Sequence, residues 1–286
     1  MTRLQLKLIA AALFAITLPL RAQQTPQPTL DEVLTRVAAN FHTYVTSIPN
    51  IYAEEQLTTN MDNKLGIGGA NSSRGAAADS IYSLRHETSP DGKPRLVESR
   101  ELKSIDHKPV AADAKLQTPV MEVDIFSYGA SFLSPALAVC YDYKLKINQH
   151  LQKRPALIVE YTAKRFMKRS ACPVFEPHSG RAFIDPDTMQ VLRMEQTRPE
   201  HPVGDILKAT PFHSQFEDDA TGTWTWAVDY APVELDGKTF WLPKTISATT
   251  TTNHTPTVHW SFLATYRNYH LLTVKSKVLP GYTVQK

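Results

Sequence analysis

Two stretches near the end of the sequence alternate apolar and polar residues strictly, and this pattern limits the possible folds more than any other feature. The apolar positions are Trp224, Trp226, Val228 and Tyr230 in the first stretch, and Val258, Trp260, Phe262, Ala264 and Tyr266 in the second. Because successive side chains of a strand point to opposite faces, each stretch predicts a β-strand with one polar and one aromatic face. An aromatic face needs a cover, which is a helix, a second sheet or a bound apolar molecule.

The N-terminus has the pattern of a secretory signal peptide. Arg3 and Lys7 precede an uncharged run over residues 8–20, and Arg21 and Ala22 follow it. The run is shorter than the roughly 20 apolar residues that span a bilayer, so a cleaved signal is favoured over a membrane anchor. We therefore predict a signal peptide over residues 1–22, a disordered leader over 23–28, a single domain over 29–286, and a periplasmic or secreted location.

The charge of the chain argues against two classes of main partner. The formal net charge is +3, from 31 Lys and Arg against 28 Asp and Glu. Three of the basic residues lie in the predicted signal peptide, so the mature chain is neutral. Without a basic stripe, nucleic acid and anionic membrane surfaces are not expected partners.

The sequence contains two cysteines, Cys140 and Cys172. In an oxidising compartment such a pair predicts a disulfide, with free buried thiols as the alternative. Cys140 falls in a run whose odd positions from 139 to 147 are apolar, which places it on the polar face of a strand. The predicted bridge therefore ties the outer surface rather than the core.

One helix is predicted before the strands. Thr29 and Glu32 form a capping-box pair, apolar residues recur at helical spacing from position 30 to 45, and Pro49 ends the helix. The stretch 120–137 is apolar but lacks a strand period, which favours a short helix or an apolar loop. Residues 60–80 are rich in Gly, Ala, Asn and Ser and predict a mobile loop. The proline-containing stretch 198–221 also predicts a loop.

Turn residues divide the remaining sequence into hairpins. Pro90-Asp91-Gly92 separates strands over 81–87 and 95–104, Asp185-Pro186-Asp187-Thr188 separates 181–184 and 189–196, and Asp236-Gly237 separates 228–235 and 238–242. Further strands are predicted over 50–59, 139–147, 156–162, 246–252, 258–269 and 272–278. Consecutive hairpins form an antiparallel meander, and a meander of about ten or eleven strands curls. The predicted class is α+β, a curved half-open barrel with the helix on its concave face.

Two segments resemble the periplasmic lipoprotein-carrier superfamily, the LolA and LolB group. The first is Gly180-Arg181-Ala182-Phe183-Ile184-Asp185-Pro186-Asp187-Thr188, followed by Val191, Arg193 and Glu195. The second is residues 230–243, where Leu235-Asp236-Gly237 leads into Phe240-Trp241-Leu242-Pro243. The order of leader helix, meander, inserted helix and closing strands is also similar over residues 30–278. The resemblance implies a half-open barrel around an apolar cavity that shields acyl chains.

No catalytic or metal site is predicted. Among the histidines, only His254 and His259, which flank a turn, come near the spacing of metal ligands. Ser127 and Ser131 lack the nucleophile-elbow pattern. The adjacent acidic pairs, Glu54-Glu55 and Asp218-Asp219, would point to opposite faces of a strand. We therefore expect no metal, no cofactor and no enzyme activity.

The aromatic rows suggest the function. A packed core against the helix explains them about as well as a cavity does, but one helix covers only part of so large a sheet. We predict a monomer that binds a lipid or an acylated protein through one set of residues, namely Trp224, Trp226, Val228, Tyr230, Trp260, Phe262 and Tyr266. The alternative is an envelope interaction or sensor module with the same fold and no lipid cargo.

Overall fold

A computed structural model describes residues 27–64, 72–92, 94–111, 113–121, 125–164, 172, 176–204, 220–253 and 257–273. The predicted signal peptide lies outside these residues, as does most of the predicted leader. The chain begins with helix α1 (Leu30–Ser47), and its N-terminus has the predicted capping box between Thr29 and Glu32. Val33, Leu34 and Val37 bury the apolar stripe of α1 in the core.

Eleven strands follow in the described part of the chain, and they form one antiparallel sheet. They are β1 (Ile51–Lys64), β2 (Ser72–Thr88), β3 (Pro94–Ile105), β4 (Lys108–Pro109), β5 (Tyr141–Leu151), β6 (Arg154–Ala163), β7 (Ser179–Ile184), β8 (Val191–Pro202), β9 (Thr221–Leu235), β10 (Lys238–Thr252) and β11 (Thr257–Leu271). The sheet is curved and open, which confirms the predicted α+β half-barrel. Asp236 and Gly237 both have positive φ, 51° and 68°, as the two-residue turn between β9 and β10 requires.

The strand order is β4-β3-β2-β1-β11-β10-β9-β8-β7-β6-β5. The first and last strands, β1 and β11, therefore pair in the middle, while β4 and β5 form the two edges. Ten spacings of about 4.8 Å put these edges on the order of 48 Å apart along the sheet. The chain between β4 and β5 must cross that whole width, and we call residues 110–140 the crossover segment.

The crossover segment lies over the concave face. Its described part holds a single-turn helix α2 (Ile125–Tyr128) and two 3₁₀ helices, Gly129–Leu133 and Pro135–Cys140. For the described part of 120–137, this agrees with the prediction of a short helix or apolar loop rather than a strand. The disulfide is confirmed, with a Cα–Cα distance of 5.5 Å between Cys140 and Cys172. Its predicted position is wrong, because Cys140 ends the second 3₁₀ helix one residue before β5 and is buried in the core.

The predicted loop over residues 60–80 is also wrong for the residues described. β1 continues to Lys64, β2 begins at Ser72, and residues 65–71 lie outside the description. At Gly75 a side chain would be crowded by the neighbouring strand, since a Cβ there would lie 3.1 Å from Oδ1 of Asn60. The composition suggested a loop because it contains no information about strand pairing. In the structure, β2 pairs with β1 along this stretch.

Smaller corrections concern strand ends. The predicted loop over 198–221 is shorter, since β8 continues to Pro202 and β9 begins at Thr221, with residues 205–219 outside the description. The strands predicted at 238–242 and 246–252 are one strand, β10, with a register shift between Pro243 and Thr245. The strand predicted over 272–278 begins with two residues, Leu272 and Thr273, that are not in a strand, and the rest of it lies outside the description.

Candidate ligand-binding site

Side chains of the sheet and of α1 hold the crossover segment by its backbone. Trp260 Nε1 and Thr59 Oγ1 both donate to the carbonyl oxygen of Pro119, at 3.0 and 2.5 Å. Arg100 Nη1 donates to the carbonyl oxygen of Met121 at 3.1 Å. Farther along, Tyr44 of α1 donates to Phe126 O and Tyr143 of β5 donates to Phe132 O, at 2.8 and 2.5 Å. Because the hydrogen-bond acceptors are main-chain carbonyls, these contacts fix the path of the segment rather than its side chains.

Two buried carboxylates lie beneath this segment. Glu55 accepts hydrogen bonds from Arg100 at 2.6 and 2.8 Å, from Tyr266 at 2.8 Å, and from Ser80. Burial opposes the charged form of Arg100, but its hydrogen bonds to Glu55 and the charge of Glu55 raise the pKa of the guanidinium. Burial, and then the charge of Glu55, raise the pKa of Tyr266. The group is therefore a hydrogen-bonded ion pair inside the core.

The second carboxylate, Glu98, connects the sheet to the crossover segment directly. It accepts hydrogen bonds from the backbone N–H and the hydroxyl of Ser127, both at 2.6 Å, and from Tyr82. Burial, and then the charge of Glu98, raise the pKa of Tyr82. Glu98 thus anchors α2 from below. The part of the concave face held in these ways, around Glu55, Glu98, Arg100 and Trp260, we call the clasped region.

The structure places most of the predicted ligand-binding residues in close-packed surroundings. The ring of Trp260 lies 6.1 Å from that of Phe262, and the ring of Tyr266 lies 5.2 Å from that of Phe126. Trp226 donates from Nε1 to Gln196 at 3.1 Å. Val228 is fully buried beside these residues in the same core.

Trp224 has a different environment near the start of β9. It is partly buried and stacks on His201 with the ring centroids 4.7 Å apart. The guanidinium of Arg198 also lies over the Trp224 ring, 4.8 Å from its centroid. Glu176 accepts hydrogen bonds from Arg198 and from His201, so Trp224 belongs to a polar surface cluster.

A cavity of about 210 Å³ lies beside the clasped region and is lined by four separate parts of the chain. Its walls come from α1 (Asn40, Phe41, Thr43, Tyr44, Ser47), the crossover segment (Ile125, Phe126, Gly129, Ala130), the β7–β8 connection and start of β8 (Met189, Gln190, Val191) and the hairpin β9–β10 (Tyr230, Lys238, Thr239, Phe240, Trp241, Pro243). Of the seven predicted ligand-binding residues, Tyr230 alone lines this cavity.

The position of α1 explains why the cavity exists. Asn40 donates from Nδ2 to the carbonyl oxygens of Thr188 and Met189, at 3.0 and 2.9 Å, so α1 is fixed to the turn between β7 and β8. Asp185 organises that turn by accepting from the backbone N–H groups of Asp187 and Thr188. Because α1 rests on this turn and on the first 3₁₀ helix, it does not fill the space above the β9–β10 hairpin.

Sequence reasoning did not assign Phe41, Ile125 or Phe240 to the site. Each appeared in a predicted element, but only the three-dimensional structure brings these elements together. Phe240-Trp241 belongs to the motif that resembles the carrier superfamily, which was the one available signal.

The residues considered for catalysis lie apart. Glu54 and Glu55 occupy opposite faces of β1, Glu54 being bound to Arg267 at the surface. Asp218-Asp219 and His254 lie outside the described residues. Over the described ranges, no group of three or more His, Cys, Asp or Glu residues is placed to hold a metal ion. In that same part of the chain, no helix is both long and apolar enough to cross a membrane.

Comparison with known proteins gives distant structural likenesses. No protein-family model matches the sequence, and neither does any curated protein. A DUF1329 family protein from Desulfovibrio piger is 11% identical with a TM-score of 0.40, over 86% of this chain and 95% of that one. A LolA superfamily protein from Nitrosomonas europaea is 8% identical with a TM-score of 0.31, over 85% of this chain and 94% of that one. Lipovitellin, from a structure concerned with its lipid–protein interactions, is 10% identical with a TM-score of 0.28, over 81% of this chain and 26% of that one.

The second of these proteins belongs to the superfamily that residues 180–195 and 230–243 resemble in sequence. Because all three TM-scores are below 0.5, the likenesses alone say nothing about the function of this chain. A proposal about its function must therefore rest on the residues of this chain.

Proposed function

We propose that this chain is an extracytoplasmic protein that binds a hydrophobic ligand in the cavity beside α1. The observation that carries the proposal is that the cavity is open and its walls are largely apolar. The clasped region beside it is covered by the crossover segment. Phe41, Phe126, Ala130, Phe240 and Trp241 all contribute to the walls of the cavity. Binding sites for small apolar molecules have this composition, with a few polar groups among apolar walls.

The disulfide supports a location outside the cytoplasm. Disulfides such as Cys140–Cys172 persist in oxidising compartments and are rare in the reducing cytosol. The predicted signal peptide leads to the same location.

Binding is proposed rather than catalysis. Ser127, one of the two serines considered as a nucleophile, donates its hydroxyl to the carboxylate of Glu98. It is therefore engaged in holding the crossover segment, and Glu98 is occupied by the same contact.

Displacement of the crossover segment would extend the site. Trp226, Val228, Trp260, Phe262 and Tyr266 form an apolar surface on the concave face that this segment now covers. A larger ligand could reach them only by breaking the hydrogen bonds to the crossover carbonyls. In this proposal, Tyr230 contacts any ligand, these five residues contact only a ligand that displaces the segment, and Trp224 remains in its surface cluster.

A cavity-filling variant tests the proposal. Ala130→Phe places a ring in the cavity, so the protein should lose its affinity for the apolar fluorophore N-phenylnaphthylamine, measured by fluorescence titration. Ala39→Phe is the matched control, since Ala39 is exposed on α1 outside the cavity. Equal affinity in both variants, or no binding of the fluorophore by the unaltered protein, would overturn the proposal. The second result, with an empty monomer in native mass spectrometry, would favour an interaction module.

A further inference from the structure

A second depression lies on the convex face of the sheet, on the side away from the crossover segment. Its volume is about 270 Å³, and its floor is formed by the neighbouring strands β2, β1 and β11. The side chains on this floor form two cross-strand rows, Ala77–Thr58–Leu263 and Asp79–Gln56–Thr265. The small side chains in the first row leave open the space that we call the convex pocket.

The turn between β3 and β4 forms one wall of the convex pocket. Its two residues, Asp106 and His107, both have positive φ, 48° and 63°, as a two-residue hairpin turn requires. The backbone N–H of Asp106 donates to the carbonyl oxygen of Ala77 at 2.7 Å, and its carboxylate accepts from the N–H of Ala77 at 3.0 Å. These two bonds fix the turn to β2, so His107 lines the pocket.

Asp79 supplies a negative charge in this pocket. Ser104 donates from Oγ to Oδ2 of Asp79 at 2.8 Å, and Gln56 donates from Nε2 to Oδ1 at 3.2 Å. These hydrogen bonds lower the pKa of Asp79, so the side chain is ionised at neutral pH. A carboxylate has about four positions for hydrogen-bond donors, so each oxygen can accept a further bond from a ligand.

The charge of Asp79 has no cationic partner from the protein. No Lys or Arg among the described residues lines the convex pocket or forms an ion pair with Asp79. The charges of His107 and Arg267 have smaller effects on the pKa of Asp79, and Arg267 is itself paired with Glu54. The pocket therefore favours a cationic ligand and disfavours an anionic one.

Leu263 supplies an apolar surface at the other end of the pocket. It is 46% exposed, and it is one of two large apolar side chains that are exposed in the described part of the chain. Leu263 and Asp79 are separated by two strand spacings and by two residues along the strand, which places their Cα atoms about 12 Å apart. A ligand that reaches both residues needs a hydrocarbon part several carbons long, as in the side chain of lysine.

We infer that the convex pocket binds an alkylammonium group, whose charge pairs with Asp79 and whose hydrocarbon part packs on Leu263. A free amine and a lysine side chain of a partner protein share this chemistry. The pocket lies on the face opposite the cavity beside α1. The inference therefore does not rest on the proposed function, and the two can fail separately.

Titration of the isotope-labelled protein with n-hexylammonium tests the inference, with binding followed by the chemical shifts of backbone amides. Shift changes are expected around Asp79, Gln56 and Leu263. Hexanol has the same chain without the charge, and it should bind about fivefold more weakly, the upper value for one partly exposed ion pair. Changes confined to residues that line the cavity beside α1, or no changes at all, would overturn the inference.

A matched pair of variants tests the role of the charge. Asp79→Asn should weaken the binding of hexylammonium about fivefold and change that of hexanol less than about twofold. Asp142→Asn makes the same substitution on the exposed edge strand β5, outside the pocket, and should leave both affinities unchanged. Equal affinities of the two variants for hexylammonium would show that Asp79 is not its partner.

A third variant tests the apolar contact independently of Asp79. The unaltered protein should bind hexylammonium more tightly than methylammonium, because the longer chain reaches Leu263. Leu263→Thr keeps a residue suited to a strand and should remove most of this preference. A preference that persists unchanged would contradict the proposed position of the hydrocarbon part. Thermal unfolding of each variant shows whether the fold is retained.

A final probe distinguishes the two sources of the ligand. Nα-acetyl-lysine methylamide carries the ammonium group on a lysine side chain between two peptide bonds. An affinity equal to or above that of hexylammonium identifies a lysine of a partner protein as the occupant. An affinity about fivefold lower or less identifies a free amine, because the peptide groups then hinder entry.

Discussion

The clasped region and the cavity occupy the same concave face, yet they are built in opposite ways. In the clasped region the carboxylate of Glu55 is saturated by Arg100, Tyr266 and Ser80, and the crossover segment is closed over it. In the cavity, the Tyr230 hydroxyl has no partner among the described residues, and apolar walls face open space. One alternating aromatic pattern thus serves both as packed core and as a site wall. The difference between them is made by the crossover segment.

The largest effect is expected where an ion pair in the clasped region is broken. Glu55→Ala leaves the buried guanidinium of Arg100 without its partner, and it should lower the free energy of unfolding by about 3 to 5 kcal/mol. Chemical denaturation measures this loss. Glu54→Ala is the matched control, because Glu54 lies next in the chain but pairs with Arg267 at the surface, where such pairs contribute about 0 to 1 kcal/mol. Similar losses in the two variants would mean that the buried pair contributes no more than a surface contact.

Aromatic truncation should distinguish the two regions next. Trp260→Ala removes a buried ring and the donor that holds Pro119, so a loss of about 3 to 5 kcal/mol is expected. Trp241→Ala, in the partly exposed cavity wall, should cost about 1 to 2 kcal/mol, because its ring has fewer packed neighbours to lose. Both are measured by denaturant unfolding. An equal cost for the two variants would contradict the division of the face into packed and open parts.

A smaller effect concerns pH. His178 is buried, its Nε2 lies 2.9 Å from the Tyr141 hydroxyl, and burial lowers its pKa below the usual value of about 6.5. Below that pH the unfolded chain binds a proton that the folded protein resists, so stability should fall as pH drops below about 6.5. His178→Gln should reduce this fall between about pH 7 and pH 5, measured by thermal unfolding. A pH dependence identical in the two proteins would remove His178 as its cause.

Local features were predicted well from sequence because their causes are local. An Asp-Gly pair between apolar runs, here Asp236-Gly237, is a strong signal for a two-residue hairpin turn. The capping box of Thr29 and Glu32 fixes the start of α1. The disulfide followed from two cysteines and a predicted signal peptide. These features depend on only a few neighbouring residues or on composition.

The rest depends on contacts between distant parts of the chain. The pairing of β1 with β11 joins residues about 200 positions apart, such as Met61 and Trp260, and no pattern within either strand indicates it. The same pairing puts β4 and β5 at opposite edges, so the crossover segment must span the width of the sheet. Sequence reasoning therefore identified the aromatic rows but not their cover, and it placed Tyr230 in the same set as Trp260, although the two residues have different environments.

Photo-crosslinking tests the central claim, that ligand binds in the cavity and not on the clasped region, most directly. The unaltered protein would be irradiated with a dodecanoate analogue carrying a terminal diazirine, and the labelled peptides would be identified by mass spectrometry. Labels are expected on peptides that contain Phe41, Ile125 or Phe240, and competition by unlabelled dodecanoate should remove them. Labels confined to peptides that contain Thr59, Trp260 or Phe262, with the cavity peptides unmodified, would contradict the claim.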